Sequence, residues 1–439
     1  MAEAICRERV SAEKERSKRA GRVIGLCLAA ILMAMGAFSA YGAPGEGGSG
    51  LWTAGGGEPQ GGPSPVEELR GVWISYLDWE KLPGDRAGFK KGVDQMMDRC
   101  VALKMNAVFV QVRPDADAMY PSEYFPWSRF VTGTQGEDPG YDPLAYFVEA
   151  AHNRGLQFHA WINPYRVTGY LNRWNQVSEE SFAKQWLTDA DPLNDRWVLR
   201  QSGEYYLNPA VKAVRERIIH GVQEIVDNYD VDGIHFDDYF YPEVNDQDEN
   251  KWFDKPEYDQ SGSTLSISDW RRENINQLIR GVYQVVKEAD PRIQFGISPE
   301  GYVDHLRSNT RLFADIDTWM SEEGYVDYIM PQIYWGFEHK LSDGSPAPFA
   351  FSNNLKTWIR LKKKGNVRLY LGLAMYKTGS GSTDNNAVPE WLRRNDIIKR
   401  QVEEGRGSGQ VSGYCFYAYS SFQESSCQAE VANLMKVFK

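Results

Sequence analysis

Short apolar segments with strand character recur eight times from residue 69 onward, and helical patterns separate them. The strand-like segments are 71–75, 107–113, 157–165, 233–240, 294–302, 325–335, 368–376 and 413–422. The helical segments are 89–104, 143–155, 209–230, 270–290, 313–324, 351–365 and 393–405. This alternation favours a parallel (β/α)8 TIM-type barrel. The alternative is an open doubly wound sheet, but no glycine-rich phosphate loop follows the first strand.

The N-terminal region carries a separate signal. Basic residues precede an apolar run at residues 23–38, and small residues follow at Ala40 and Gly42. This order is typical of a secretory signal and predicts cleavage after Gly42, with an uncleaved anchor as the alternative. Residues 43–65 form a Gly/Pro linker that we expect to be disordered. The barrel is therefore predicted over residues 66–439, in a protein that is secreted, periplasmic or associated with the cell envelope.

Charge and cysteine content exclude several classes of function. The chain has a formal net charge of −11, which argues against a nucleic-acid or anionic-lipid partner. Three cysteines lie beyond the signal, namely Cys100, Cys415 and Cys427. Their number and spacing fit neither a zinc site nor a disulfide framework. Cys415 and Cys427 are free to pair with each other, whereas Cys100 has the position of a buried thiol in a helix.

Polar and aromatic residues stand at the ends of most predicted strands, in the segments 113–115, 163–165, 237–239, 298–300 and 332–335. Active sites of (β/α)8 barrels lie at the carboxyl ends of the strands, in the loops that follow them. Because this pattern recurs on strand after strand, it predicts a functional site at that end of the barrel.

The segment "DGIHFDDYFYP" at residues 232–242 places two carboxylates side by side where the fourth predicted strand ends. Alternation along the strand directs His235 and Asp237 to the barrel interior and leaves Asp238 at the lip. Neighbouring carboxylates push their pKa values apart, so one of them stays protonated near neutral pH. We expect Asp238 to be a general acid and Asp237 to orient it or stabilise developing charge. The alternative for Asp237 is an ion pair with Arg113 inside the barrel.

Other strand-end residues complete the groups that glycosidic bond cleavage requires. The second carboxylate is expected to be Asp115 or Glu300, and the alternative for Glu300 is a solvated loop charge. Hydrogen bonds to sugar hydroxyls are expected from Arg113, His159, Asn163, Tyr165, Gln332 and Tyr334, and stacking from Trp161 and Trp335. His235 and Tyr239 line the same cleft, although His235 is expected as a hydrogen-bonded wall residue. The long segment 167–207, with Trp174, Trp186 and Trp197, is predicted to form a cleft wall.

An acidic pattern after the fourth strand partly matches a calcium loop, at Asp246, Asp248, Asn250, Asp254 and Glu257. Lys251 replaces the glycine at the sixth place and Pro256 interrupts the loop. We therefore expect neither a metal site nor a cofactor.

Taken together, the motifs resemble the glycosyl-hydrolase-like family 10. The matching stretches are "RGVWIS" from Arg70, "VFVQVRPDADAMYPS" from Val108, "GYDPLAYFVEAAHNRGLQFHAWINPYRV" from Gly140, "LNPAVKAVRERI" from Leu207, "YDVDGIHFDDYFYP" from Tyr229, "FGISPEG" from Phe295 and "YVDYIMPQIYW" from Tyr325. The resemblance implies an exported barrel that acts on bacterial envelope glycans. One divisome-associated member looks like a hydrolase of peptide-free peptidoglycan strands.

The resemblance also implies that Asp237, Asp238 and Asp115 are functional carboxylates. Many members have "SPFG" where this chain has "SPEG", so Glu300 is not shared across the family. The segment "DGIHFDDY" is also similar to the "DGxDxDxE" strand of chitinase-type barrels, but Tyr239 stands at the place of their acid. The expected function is an exported glycoside hydrolase acting on peptidoglycan or a related envelope polysaccharide. The alternative is a non-catalytic glycan-binding barrel.

Overall fold

The computed structural model of the protein describes residues 68–169, 173–201, 203–242, 248, 251–341, 343–380 and 390–438. The predicted signal (1–42), the predicted linker (43–65) and the first two residues of the predicted barrel (66 and 67) lie outside these residues. No helix in the described part of the chain is long and apolar enough to cross a membrane.

Eight parallel strands close into a barrel in the order β1-β10-β9-β8-β7-β6-β3-β2. The strands of the chain are β1 Leu69–Ile74, β2 Ala107–Arg113, β3 Gln157–Ile162, β4 Val198–Gln201, β5 Glu204–Leu207, β6 Gly233–Phe236, β7 Gln294–Ile297, β8 Tyr328–Ile329, β9 Arg368–Leu373 and β10 Gly413–Phe416. The (β/α)8 prediction is confirmed. Most predicted strands extended too far at their carboxyl ends, where the chain turns into the loops that carry the polar residues.

Helices surround the barrel. They are α1 Tyr76–Trp79, α2 Arg86–Ala102, α3 Arg129–Thr132, α4 Pro143–His152, α5 Phe182–Thr188, α6 Lys212–Asn228, α7 Lys255–Ser261, α8 Ile267–Ala289, α9 Val303–Leu306, α10 Ile316–Ser321, α11 Phe351–Arg360, α12 Glu390–Arg393, α13 Ile397–Gly407 and α14 Gln428–Leu434. Short 3-10 turns occur at Trp174–Gln176, Asp195–Trp197, Met375–Lys377, Tyr419–Gln423 and Ser425–Cys427. Local sequence sets where helices begin: the Asp142 side chain accepts a hydrogen bond from Ala145 N, and Pro143 occupies the first turn of α4.

Two apolar layers lie on opposite sides of the strands. On β6, Ile234 and Phe236 face outward into the layer beneath the helices, and both are fully buried. His235 faces inward, where Trp73 Nε1 donates to its Nε2 (3.2 Å) and Tyr328 Oη lies 3.0 Å from its Nδ1. The interior rings need space, because a Cβ on Gly233 would come within 2.2 Å of the His159 ring. The barrel centre is therefore a filled core.

The segment between β3 and α6 folds as an insertion with its own packing. It contains α5 and the antiparallel hairpin of β4 and β5. Trp174 stacks on Tyr205 with ring centroids 4.1 Å apart, and Trp186 packs edge-on against Trp197 at 4.8 Å. The three predicted wall tryptophans thus stabilise the insertion itself.

The three cysteines in the described part of the chain are buried and free. The Cys100 thiol lies in α2, as predicted. Cys415 and Cys427 do not form the disulfide that the sequence left open.

Candidate active site

Asp237 and Asp238 directly follow β6 at the carboxyl end of the barrel. Asp237 is buried, and its two carboxylate oxygens accept hydrogen bonds from Trp161 Nε1 (3.2 Å) and Tyr239 N (3.3 Å). Asp238 is partly exposed and accepts a hydrogen bond from the Gln332 side chain. The predicted placement, with Asp237 inside and Asp238 at the lip, is confirmed.

The two carboxyl groups titrate together. Burial and, after it, the charge of the neighbouring Asp238 raise the pKa of Asp237 to about 8, and Arg166 opposes the rise. Desolvation and the charge of Glu300 raise the pKa of Asp238 to about 6. Because the two groups interact strongly, these pKa values describe the pair. Near neutral pH the pair therefore holds a proton close to the lip of the barrel.

Asp115 lies in the turn after β2, and it shares with Asp237 the influence of Arg166. It is buried, and its Oδ1 accepts a hydrogen bond from Arg166 Nε at 2.9 Å. A second acid, Asp117, is fully buried in the same turn and accepts a hydrogen bond from Gln135 Nε2 at 2.9 Å. Burial and the charge of Asp115 raise the pKa of Asp117 to about 7. Sequence reasoning missed Arg166 and Asp117, although both lie within the motifs quoted above.

Glu300 follows β7 and reaches the site from the neighbouring strand. Its backbone forms a bridge with Gln332, and its charge acts on Asp238. On its other side, His305 Nδ1 lies 2.6 Å from Oε1 and Arg311 Nη2 lies 3.8 Å from Oε2. Its side chain is 13% exposed, so Glu300 is a partly accessible carboxylate next to the predicted acid.

The predicted amides are brought to the same end of the barrel. Gln111 Nε2 donates to Asn163 Oδ1 at 2.5 Å, and Gln332 Nε2 donates to the Ser298 carbonyl at 2.8 Å. Hydrogen bonds fix both predicted amides, but Asn163 is buried, so Gln332 is the partly exposed one of the two.

A cluster of tyrosines, the tyrosine platform, lies at the mouth and consists of Tyr334, Tyr376 and Tyr417. Tyr334 and Tyr417 stack with ring centroids 6.1 Å apart, and Tyr376 packs edge-on against each at 5.9 Å. Tyr334 and Tyr417 are partly exposed, and the charge of Asp238 acts on Tyr334. Tyr376 and Tyr417 were not predicted as site residues, although both stand at strand ends.

Four predicted binding residues do not reach the cleft, namely Arg113, His159, Tyr165 and Trp335. The pairing of β2 with β3 shifts between Gln111 and Arg113, so Arg113 lies opposite the outward-facing Ile162. Its guanidinium is fully buried 3.7 Å from the Phe125 ring centroid, on the helix side of the wall. The alternative ion pair of Arg113 with Asp237 inside the barrel is therefore also wrong.

Tyr165 and Trp335 are buried as well. Tyr165 is fully buried in the outer core. Trp335 directly follows the partly exposed Tyr334 in sequence but is itself buried. It is 5% exposed, and its ring centroid lies 5.3 Å from that of Phe349. The prediction that Trp335 stacks on a sugar is replaced by a role in the core.

The two interior histidines belong to the barrel core. His159 stacks on Phe109 at 4.4 Å, one layer below Trp161, and burial lowers its pKa to about 4. Burial and the nearby His159 lower the pKa of His235 well below its usual value, and Ser298 Oγ lies 3.0 Å from its Nε2. His235 is therefore the hydrogen-bonded wall residue that was expected.

Arginines engage two acids of the calcium-like pattern. Both oxygens of the fully buried Asp254 accept hydrogen bonds from Arg271 (2.8 and 2.6 Å), and Glu257 pairs with Arg196 (2.6 Å). Asp246 and Asn250 lie outside the described residues.

The sequence matches a known protein family and several named relatives. The model of the family described as Glycosyl hydrolase-like 10 matches residues 68–392. The chain is 38% identical over 361 residues to the glycosyl hydrolase YngK of Bacillus subtilis, covering 78% of this chain and 67% of that protein. It is 32% identical over 403 residues to the glycosyl hydrolase DigH of Escherichia coli strain K12, covering 84% and 87%.

Solved structures share the fold at low sequence identity. The glycoside hydrolase domain of PgaB (BpsB) from Bordetella bronchiseptica superposes with a TM-score of 0.53 at 14% identity, covering 84% of this chain and 99% of that domain. The α-L-fucosidase isoenzyme 2 of Paenibacillus thiaminolyticus gives a TM-score of 0.50 at 12% identity, covering 84% and 49%.

Proposed function

The chain belongs to the glycosyl hydrolase-like 10 family, whose named relatives are glycosyl hydrolases, and we propose that it hydrolyses peptidoglycan glycan strands or a related envelope polysaccharide after export. The observation that carries this proposal is the coupled pair of Asp237 and Asp238, which holds a proton at the barrel mouth beside the tyrosine platform. Glycosidic bond cleavage needs a protonated carboxyl group next to a sugar-binding surface.

In this mechanism Asp238 donates the proton to the leaving glycosidic oxygen, because it is the partly exposed member of the pair. Asp237 is fixed by Trp161 and Tyr239 and shares the proton with Asp238. Its role is to keep a proton available at a pH where an isolated Asp would be ionised.

Glu300 is the better of the two candidates for the second carboxylate. Asp115 is buried and tied to Arg166, whereas Glu300 is partly accessible and lies close enough for its charge to act on Asp238. Glu300 then acts as the nucleophile or as the base that activates water. His305 and Arg311 hold its carboxylate in place from the opposite side.

The side chains at the mouth of the barrel indicate the class of substrate. Tyrosine rings offer flat apolar faces to sugar rings, and the partly exposed Gln332 amide offers hydrogen bonds to hydroxyl and acetamido groups. The formal net charge of −11 argues against a densely charged polyanion such as nucleic acid. An N-acetylated glycan fits these groups, and the predicted export signal would bring the protein to such a polymer in the cell envelope.

A non-catalytic glycan-binding barrel is the rival function. Such a protein needs the rings and amides but gains nothing from an acid pair that burial keeps protonated near neutral pH. Release of reducing ends from purified peptidoglycan, with and without its peptides, separates the two functions. The parent protein and Asp317→Asn, a surface control whose carboxylate pairs with Arg307, are expected to release sugar equally. Equal release by Asp238→Asn would end the catalytic assignment.

A further inference from the structure

Arg166 is a buried cation among the acids of the site. It is 5% exposed, and its Nε donates both to Asp115 Oδ1 and to the Pro114 carbonyl, each at 2.9 Å. Its guanidinium carbon lies 5.7 Å from the ring centroid of Tyr76 and 5.4 Å from that of Tyr239. The two rings come from the loops after β1 and β6, so Arg166 joins three strand ends.

The insertion holds Arg166 in this position. The residue forms a backbone bridge with Tyr206 of β5. On either side of it, Leu207 N donates to the Tyr165 carbonyl (2.7 Å) and Val167 N donates to the Tyr205 carbonyl (3.0 Å). Thr168 Oγ1 adds a hydrogen bond from Tyr205 N at 2.8 Å. These hydrogen bonds to the hairpin therefore fix the backbone at Arg166, beyond the end of β3.

We propose that Arg166 is a positioning residue for the proposed hydrolysis: held by the insertion hairpin, it fixes Asp115 and sets the charge of the Asp237–Asp238 pair. This inference rests on the proposed function for its kinetic consequence, but its electrostatic consequence is a property of the folded protein. It also gives the insertion a task at the site, since the hairpin carries the arginine into place.

The electrostatic argument has a definite sign. Arg166 lowers the pKa of both Asp237 and Asp117, against the larger effect of burial. Asp237 also faces Asp238, the backbone of Tyr239 and the indole of Trp161. Without the guanidinium, the pair would hold its last proton more tightly, because no nearby cation would favour the ionised form. An acid that holds its proton too tightly is a poorer donor.

The test compares Arg166→Gln with Arg166→Lys by pH–rate profiles on the glycan that the parent cleaves. Arg166→Gln is expected to move the alkaline limb of kcat to higher pH by about 1 unit, the lower end of what a nearby opposite charge produces. Arg166→Lys keeps the positive charge but loses the planar guanidinium with its fixed set of donors. It should therefore leave the alkaline limb near its parental position and lower kcat. The control is Arg292→Gln, because Arg292 is 90% exposed and pairs with Asp290 at the surface.

A purely structural role for Arg166 would lower the rate equally at every pH and leave the limb where it is, and that result overturns the proposal. A second readout does not need activity. Carboxyl ¹³C NMR titration of the folded proteins labelled at aspartate should show the same upward shift in Arg166→Gln. If the parent cleaves no glycan, the proposed function fails, while an unchanged carboxyl titration would independently refute the role of Arg166.

Discussion

Replacing Asp237 by Asn is the sharpest perturbation of the candidate site. The carboxyl pair loses protons in two steps, and the last proton leaves at a pKa of about 8 because Asp237 is buried beside an ionised Asp238. In Asp237→Asn only Asp238 titrates, and desolvation together with Glu300 places its pKa at about 6. The alkaline limb of the pH–rate profile should therefore move to lower pH, as removing a neighbouring acid requires.

The expected displacement is about two pH units, from about 8 to about 6. Each unit corresponds to about 1.4 kcal/mol of proton affinity, so this displacement corresponds to roughly 3 kcal/mol. At pH 8 an acid with a pKa near 6 is only about 1% protonated, against about half for the parental pair. The variant should thus lose most of its activity at pH 8 and keep a measurable rate below pH 6.

The assay is release of reducing ends from peptide-free glycan strands between pH 4 and pH 9, with circular dichroism to confirm that each variant is folded. Asp238→Asn should lower the rate by about 10²–10⁴-fold at every pH, the usual contribution of a general acid. Asp317→Asn again serves as the surface control. An Asp237→Asn limb that stays in place or moves upward would refute the shared-proton reasoning. Near-parental turnover in Asp238→Asn, with loss of the limb in Glu300→Gln, would make Glu300 the acid.

Further expected outcomes concern binding and stability. Tyr417→Ala should weaken glycan binding by about 1–3 kcal/mol in calorimetry, with little dependence on salt, whereas Tyr334→Phe should retain it because the ring remains. Trp335→Ala should instead lower the free energy of unfolding by about 3–5 kcal/mol in urea without changing KM, because Trp335 is core. Asp117→Asn should raise the melting temperature at pH 8 but not at pH 4: the parental carboxyl has a folded pKa of about 7, so the parent loses stability as pH rises towards 7. A chain that starts at Pro65 should unfold cooperatively, and aggregation of that chain alone would contradict the domain boundary.

The barrel could be predicted because its signals are local and repeated. Apolar strands and amphipathic helices are each read from a few neighbouring residues, and their alternation leaves few architectures. The inward direction of His235 and Asp237 also followed from alternation along one short strand. The carboxylate pair itself was found because the two residues are adjacent in sequence.

The alternation of side chains along a strand predicts the wrong face for Arg113, because β2 is irregular there. Arg113 has the parity of Phe109 and Gln111, which face inward, but the shift in pairing after Gln111 directs it to the helix side. A one-residue irregularity reverses the face of a side chain, and nothing in "VQVRPD" announces it. The prediction for Trp335 is wrong for a different reason. Trp335 directly follows the partly exposed Tyr334, and its own side chain is buried in the core.

The tuning of the acid pair depends on contacts between distant parts of the chain. Trp161 and Asp237 are 76 residues apart in sequence, and Arg166 and Asp115 are 51 apart. Sequence can therefore name the reacting groups, because strand ends converge in any such barrel, but it cannot say which acid is accessible or which is bound by a cation. Accessibility and the contact with Arg166 together assign the roles. If Arg166 contacted Asp238 and left Asp115 accessible, Asp115 would be the better choice of proton donor. The test of Arg166 and the test of Asp237 thus probe one electrostatic arrangement from its cationic and its anionic side, and the two substitutions are expected to shift the alkaline limb in opposite directions.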